Sequence, residues 1–112
     1  MKEISWNEFT QVELRVGTVI EALPFPEARN PAYIVHVDFG EVIGVRKSSA
    51  QITDLYTLES LVGKQVVAVV NFPEKQIGPI QSQCLVTGFH QEDGKVVLAV
   101  PDQSVPNGTK LA

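Results

Sequence analysis

Positive charge is scarce in this sequence. Nine lysines and arginines stand against thirteen acids, leaving a net charge of −4. Nucleic-acid binders draw much of their affinity from a basic surface that meets phosphates, so a bulk electrostatic binder is excluded. Nine of the thirteen acids fall in the first sixty residues, against five of the nine bases, and any phosphate-binding surface has to be local. Cysteine is nearly absent. Cys84 has no partner in the chain, so no intramolecular disulfide can form. A nucleophilic role would need an aligned base, which no motif supplies, and the plain reading of Cys84 is a small buried hydrophobe. The two histidines, His36 and His90, stand apart without ligand spacing, and no metal or other cofactor is expected. No apolar run reaches the ~20 residues of a membrane span. The opening MKEISWNEF has glutamates where a signal peptide needs an apolar centre. A soluble, cytoplasmic protein is the expectation, and without a Ser/His/Asp constellation or paired carboxylates it is not expected to be an enzyme.

What is present is apolar patterning. Aliphatic and aromatic residues make up 44 % of 112 residues, enough for one core and one domain spanning 1–112. Ser5-Trp6-Asn7-Glu8 fits a capping box and predicts a short helix over about Trp6–Gln11, with Trp6 and Phe9 on one face. From Leu14 the pattern alternates: Leu14, Val16, Thr18, Ile20 and Ala22 point one way, Arg15, Gly17, Val19, Glu21 and Leu23 the other. That predicts a half-buried strand, ended at Pro24-Phe25-Pro26. A second strand is expected over Ala32–Phe39, with Tyr33, Val35, Val37 and Phe39 on one face, and a hairpin turn at Gly40-Glu41 leads to a third over Val42–Lys47. Ser48–Gln51 is read as leaving the sheet. Helical pieces are expected near Ile52–Tyr56 and Leu58–Val62, the latter ended by Gly63. A fourth strand at Gln65–Val70 is apolar on both faces. A fifth lies near Gln81–Gly88, and Glu92-Asp93-Gly94 turns it into a returning strand, Lys95–Val100. This pattern alone defines a small all-β barrel.

Two segments say more. VVNFPEKQI at Val69–Ile77 ends a strand in a sharp Asn71-Phe72-Pro73 turn, and IGVRKSSAQIT at Ile43–Thr53 leaves the barrel through a basic, hydroxyl-rich mouth. With RVGTVIEA at Arg15–Ala22, FPEAR at Phe25–Arg29, DFG at Asp38–Gly40 and PDQSVPNGTKL at Pro101–Leu111, they form a co-linear set. On these motifs the chain resembles the stand-alone tRNA-binding-domain family, and most closely its CsaA branch, over about Phe9–Leu111.

The resemblance implies a five-stranded Greek-key OB-fold barrel. Short helices sit at the N-terminus and between strands three and four, with an extension at the C-terminus. It also implies a homodimer joined through the N-terminal helix and the segments after the barrel. Trp6, Phe9, Val105 and Leu111 are the apolar groups available for that contact, or they cap the barrel's own open end. The implied activity is that of an export-related chaperone which binds unfolded or precursor polypeptides, and with them the export machinery, without catalysis. The alternative is structure-selective tRNA binding on the same face.

Against the tRNA-binding members this chain departs at Gln76 and Gln81, where basic residues are usual, and at Gln83, where an acid is usual, while Lys75 and Ser82 are retained. For RNA, Arg46, Lys47 and Lys75 would meet phosphates and Ser48, Ser49, Gln51 and Asn71 would supply hydrogen bonds. Phe72 reads either as a stacking platform or as a plug at the barrel rim, and Arg46-Lys47 either as a phosphate pair or as a solvated strand end. For a polypeptide the same groove, with Gln76 and Ser82 at its edge, offers neutral amides and hydroxyls beside apolar patches.

Overall fold

A computed structural model describes residues Met1–Ala112. Helix α1 covers Trp6–Thr10; strands β1 and β2 cover Leu14–Pro24 and Tyr33–Asp38, and β3 covers Val45–Ala50. Helix α2 is Leu58–Leu61, and β4 is Gln65–Val69. Five short strands follow: β5 Lys75–Ile77, β6 Ile80–Ser82, β7 Leu85–Val86, β8 Gly88–His90 and β9 Val96–Leu98. The main sheet runs β3-β2-β1-β4-β7, antiparallel throughout, and curls into a nearly closed five-stranded barrel. This is the OB fold. No helix is long and apolar enough to cross a membrane.

Strand β1 spans two neighbours. Its first half, Leu14–Thr18, pairs with β4 and its second half, Thr18–Pro24, with β2. Such a shared strand has to bend, and the bend is a register shift between Val19 and Glu21, where Ile20 is the extra residue. The bulge overturns the expected unbroken alternation. Gly17 and Val19 face the core before it and Ala22 after it, while Ile20 is pushed out to 48 % exposure. Gly17 is small for a reason. A Cβ there would lie 2.5 Å from Val37 Cγ1 and 2.7 Å from Phe39 Cδ1.

The core gathers Val19, Val35, Val37, Phe39, Ala50, Ile52, Leu61, Val66, Ala68, Val70, Cys84 and Leu98. Helix α2 plugs the barrel with the fully buried Leu61, behind a Thr57/Ser60 capping box. Gly63 follows at φ +91° and ends the helix; its amide donates across to the Val19 carbonyl of β1 at 2.8 Å, while Lys64 N–H donates back to Leu61 C=O at 3.0 Å. The Ser5/Glu8 capping box of α1 is formed, both bonds at 2.9–3.0 Å.

Four expectations change. Residues 53–55 form a turn rather than a helix, and Ile52 enters the core from extended chain just before it. Strand β3 starts at Val45, three residues later than the Val42 expected, and runs on through Ser48–Ala50, because a five-residue turn closed by Gly44 N–H to Gly40 C=O (2.7 Å) precedes it. The fifth strand is broken into β6, β7 and β8. The fourth change is an addition, the β5–β6 hairpin after the Asn-Phe-Pro turn. Finally, the tail lies along the edge of β1 that β2 does not reach. Val16 donates to Thr109 C=O (3.0 Å), Gly108 donates to Val16 C=O (2.7 Å), and Leu111 donates to Leu14 C=O (2.8 Å).

Candidate binding cleft

The barrel is least closed where β3 meets the chain between β6 and β7. One main-chain bond joins them, Gln83 N–H to Lys47 C=O at 2.8 Å. Side chains supply the rest. The Lys47 amide donates to Gln83 Oε1 (3.2 Å) and the Ser49 amide to Ser82 Oγ (3.2 Å). A strand edge met by side-chain atoms is a seam rather than a ladder.

Over this seam opens a cleft of about 610 Å³. Ser49, Gln51, Ser82 and Cys84 form its floor and edge. Phe72, Pro73, Lys75 and Ile77 line it from the turn and the β5–β6 hairpin, Ala28, Arg29, Asn30 and Ala32 from the β1–β2 loop, and Leu85 completes it. The hairpin is held also by its own glutamine side chains. Gln81 Nε2 donates to Gln76 Oε1 (2.5 Å), and Gln76 Nε2 donates to Gly78 C=O (2.6 Å). Gly78 takes φ +52° and brings the tip against Phe25 and the Glu27 carbonyl.

The cleft therefore unites Ser49, Gln51, Phe72, Lys75 and Ser82 of the expected face. Phe72 is 57 % exposed and so is not a rim plug. The others are placed differently. Ser48 points inward and is 1 % exposed, because it sits on the core phase of β3 between outward Lys47 and Ser49, and this removes it from the face. Arg46 donates to the Val70 carbonyl at 2.6 Å, and Lys47 lies outside the cleft lining, in register with His36. Asn71 uses its side chain on Gln11 and Glu13, and Gln76 is engaged within the hairpin. Sequence reasoning did not assign a role to Arg29. The signal was present in FPEAR, yet a proline-rich loop gives no period from which to aim a side chain.

Cys84 is buried at the cleft floor, its thiol 3.9 Å from the Lys47 carbonyl. Burial pushes its pKa up to about 11, against the smaller opposing pull of the Arg46 charge and a hydrogen bond with Ser48. At neutral pH it is a protonated, weakly reactive thiol.

The four residues expected at the dimer contact divide as well. Trp6 is 69 % exposed on a helix with no buried residue, its ring 5.6 Å from that of half-buried Phe9. Leu111 lines a second, apolar groove of about 330 Å³ with Leu14, Val67, Phe89 and Val100. Val105 is half-buried, its main chain held by Gln65: its carbonyl accepts from Gln65 Nε2 (2.7 Å) and its amide donates to Gln65 Oε1 (3.1 Å).

Fold and cleft together define an OB-fold barrel, in which the β1–β2 loop and the hairpin after β4 flank a cleft over a loosely bonded strand seam. A family model described as a putative tRNA binding domain matches residues 14–110, and the chain belongs to that family. Solved structures similar to it include the chaperone CsaA from Bacillus anthracis str. Ames (47 % identity, 99 % of this chain and 100 % of that one, TM-score 0.93). A CsaA chaperone protein from Picrophilus torridus follows (44 % identity, 98 % and 100 %, TM-score 0.91). A MetRS-related protein from Pyrococcus horikoshii shares 29 % identity at full coverage of both chains, with TM-score 0.87. Among curated relatives, a methionine–tRNA ligase of Flavobacterium psychrophilum is 36 % identical over 106 residues, 94 % of this chain. The chain spans 15 % of that relative's length.

Proposed function

We propose that this protein is a CsaA-like molecular chaperone. As a homodimer it holds unfolded or precursor polypeptides in the cytoplasm, in support of export, and performs no catalysis. Residues 1–112 act as one binding unit. The observation that carries the reading is the chemistry of the cleft. Its floor is a strand edge whose amides are met by side-chain atoms, and its walls are mainly apolar: Ala28, Ala32, Phe72, Pro73, Ile77 and Leu85. An extended segment adds to such an edge by displacing the Gln83 and Ser82 side-chain contacts, taking over their main-chain hydrogen bonds and seating alternate side chains on the walls. Ser49, Gln51 and Ser82 offer neutral bonding groups, and Lys75 and Arg29 favour segments with acidic side chains. Exposed Trp6 and the Leu111 groove supply the apolar surface for a two-fold partner.

A second reading, tRNA binding on the same face, is favoured by Arg29 and Lys75, neither of which is in an ion pair. Magnitude decides between the two. Two phosphate contacts give a salt slope of only about −1.4 on single strands, so affinity falls roughly sevenfold between ~50 and ~200 mM salt. Strong nucleic-acid binders use several times as many. The test pairs a gel shift with bulk tRNA at those two salt levels with suppression of aggregation of a denatured client. Expected are suppression at near-stoichiometric dimer and a tRNA shift that fades at the higher salt. A salt-resistant tRNA complex with no effect on the client would reverse the order of the two readings.

A further inference from the structure

Helix α1 buries none of its residues, and at five residues it is too short to persist without support. Two side chains tether it to the barrel. Lys110 Nζ donates to the Thr10 carbonyl at 3.1 Å. Asn71 Nδ2 donates to the Gln11 carbonyl at 2.7 Å, while Asn71 Oδ1 accepts from the Glu13 amide at 3.0 Å. Beside them, the Val70 amide donates to the Glu13 carbonyl at 3.0 Å.

Asn71 is thus occupied on the α1 side of the chain, away from any ligand. Its neighbours Phe72 and Pro73 line the cleft. Proline restricts the residue before it to extended backbone, so the pose of Phe72 follows that of Asn71 with little slack. Whatever orders Gln11–Glu13 therefore orders the aromatic wall of the cleft.

We propose that Asn71 is a positioning residue that links the two surfaces. A second copy of this chain seated on the Trp6–Phe9 face, and an unfolded segment held against Phe72, stabilise each other through it. The inference rests on the polypeptide and homodimer readings above and extends them by a linkage. The physical cause is shared ordering: a partner that fixes α1 removes part of the entropy loss the client would otherwise meet at Phe72. Linkage makes the effect reciprocal, with one factor in both directions.

The test uses the full chain and a fluorescein-labelled, reduced and carboxymethylated lactalbumin as a permanently unfolded client. Anisotropy titrations below and above the dimer constant give client affinity. Sedimentation velocity with and without client gives dimer affinity. In the wild type both affinities should rise by the same factor, roughly fivefold or more. Asn71→Ala should bring both factors to within about twofold of unity. Asn71→Asp keeps the acceptor for Glu13 and loses the donor to Gln11, so it should give an intermediate factor even if the alanine variant folds poorly. Lys110→Met frees Thr10 and the Glu13 carboxylate but leaves the Gln11 carbonyl and the Glu13 amide on Asn71, and should retain the coupling. Full coupling in both Asn71 variants, equal loss in Lys110→Met, or a wild type that binds client equally well as monomer and dimer would each overturn the inference. A wild type that binds no client would overturn the chaperone reading, and this linkage with it.

Discussion

Cys84 shows how a residue without chemistry still shapes behaviour. Its pKa is raised to about 11 from an ordinary 9.0, chiefly by burial. A raised folded pKa means that the stability it contributes is complete below the unfolded value and is lost as pH rises through the folded one. Unfolding free energy should therefore decline between about pH 9 and 11, by roughly 2–3 kcal/mol in full, and Cys84→Ala should remove that decline in urea melts across the range. Iodoacetamide should label native protein at pH 8 far more slowly than urea-unfolded protein. Gly17 makes the opposite case, a position defined by lack of space. With 2.5 Å from a would-be Cβ to Val37 Cγ1, Gly17→Ala should cost about 1–3 kcal/mol by overpacking, read as a lower denaturation midpoint at unchanged m-value.

At the scale of elements, α1 and the tail form one assembly around Glu13. Lys110 Nζ reaches its carboxylate at 2.8 Å and Arg15 holds it at 2.5–3.0 Å, while Arg15 Nη1 also donates to the Gly108 carbonyl at 2.9 Å. The Lys110 hydrogen bond first, then that of Arg15, holds the Glu13 carboxyl below its ordinary 4.5. A depressed pKa stabilises above the unfolded value and fails as pH falls through the folded one. Protection of the Leu111 amide from exchange should thus fall below about pH 4.5 while the barrel stays folded, and Glu13→Gln should show the lower protection at neutral pH. The cap of α1 is testable too. Ser5→Ala should leave the unfolding midpoint nearly unchanged, because α1 buries nothing, yet weaken the proposed dimer about fivefold for a cap worth ~1 kcal/mol. The α1 capping box, the apolar face of β2 and the doubly apolar β4 were all legible in sequence, since each is a local pattern. The β1 bulge was not. It arises because β1 must serve two neighbours, which no window along one strand records.

For the whole molecule, the exposed apolar surface is the feature that sets its assembly apart from its fold. Trp6, Phe89, Val100 and Leu111 are 69 %, 67 %, 48 % and 43 % exposed, more than scattered surface hydrophobes require. Trp6→Ala combined with Leu111→Ala should lower the sedimentation coefficient at low micromolar concentration, and an unchanged coefficient would mean these groups serve only the monomer. The sequence by itself determined the barrel class, the weak basic charge and the Asn-Phe-Pro turn, because composition, period two and proline act over a few neighbouring residues. Only the tertiary structure decided which side chains meet. It turned Ser48 into the core, committed Gln76 to Gln81 and brought Arg29 to the cleft. It also gave Asn71 to α1 rather than to a ligand. Those outcomes depend on strand phase, a bulge and contacts across some sixty residues of chain, and such distances leave no trace in local pattern.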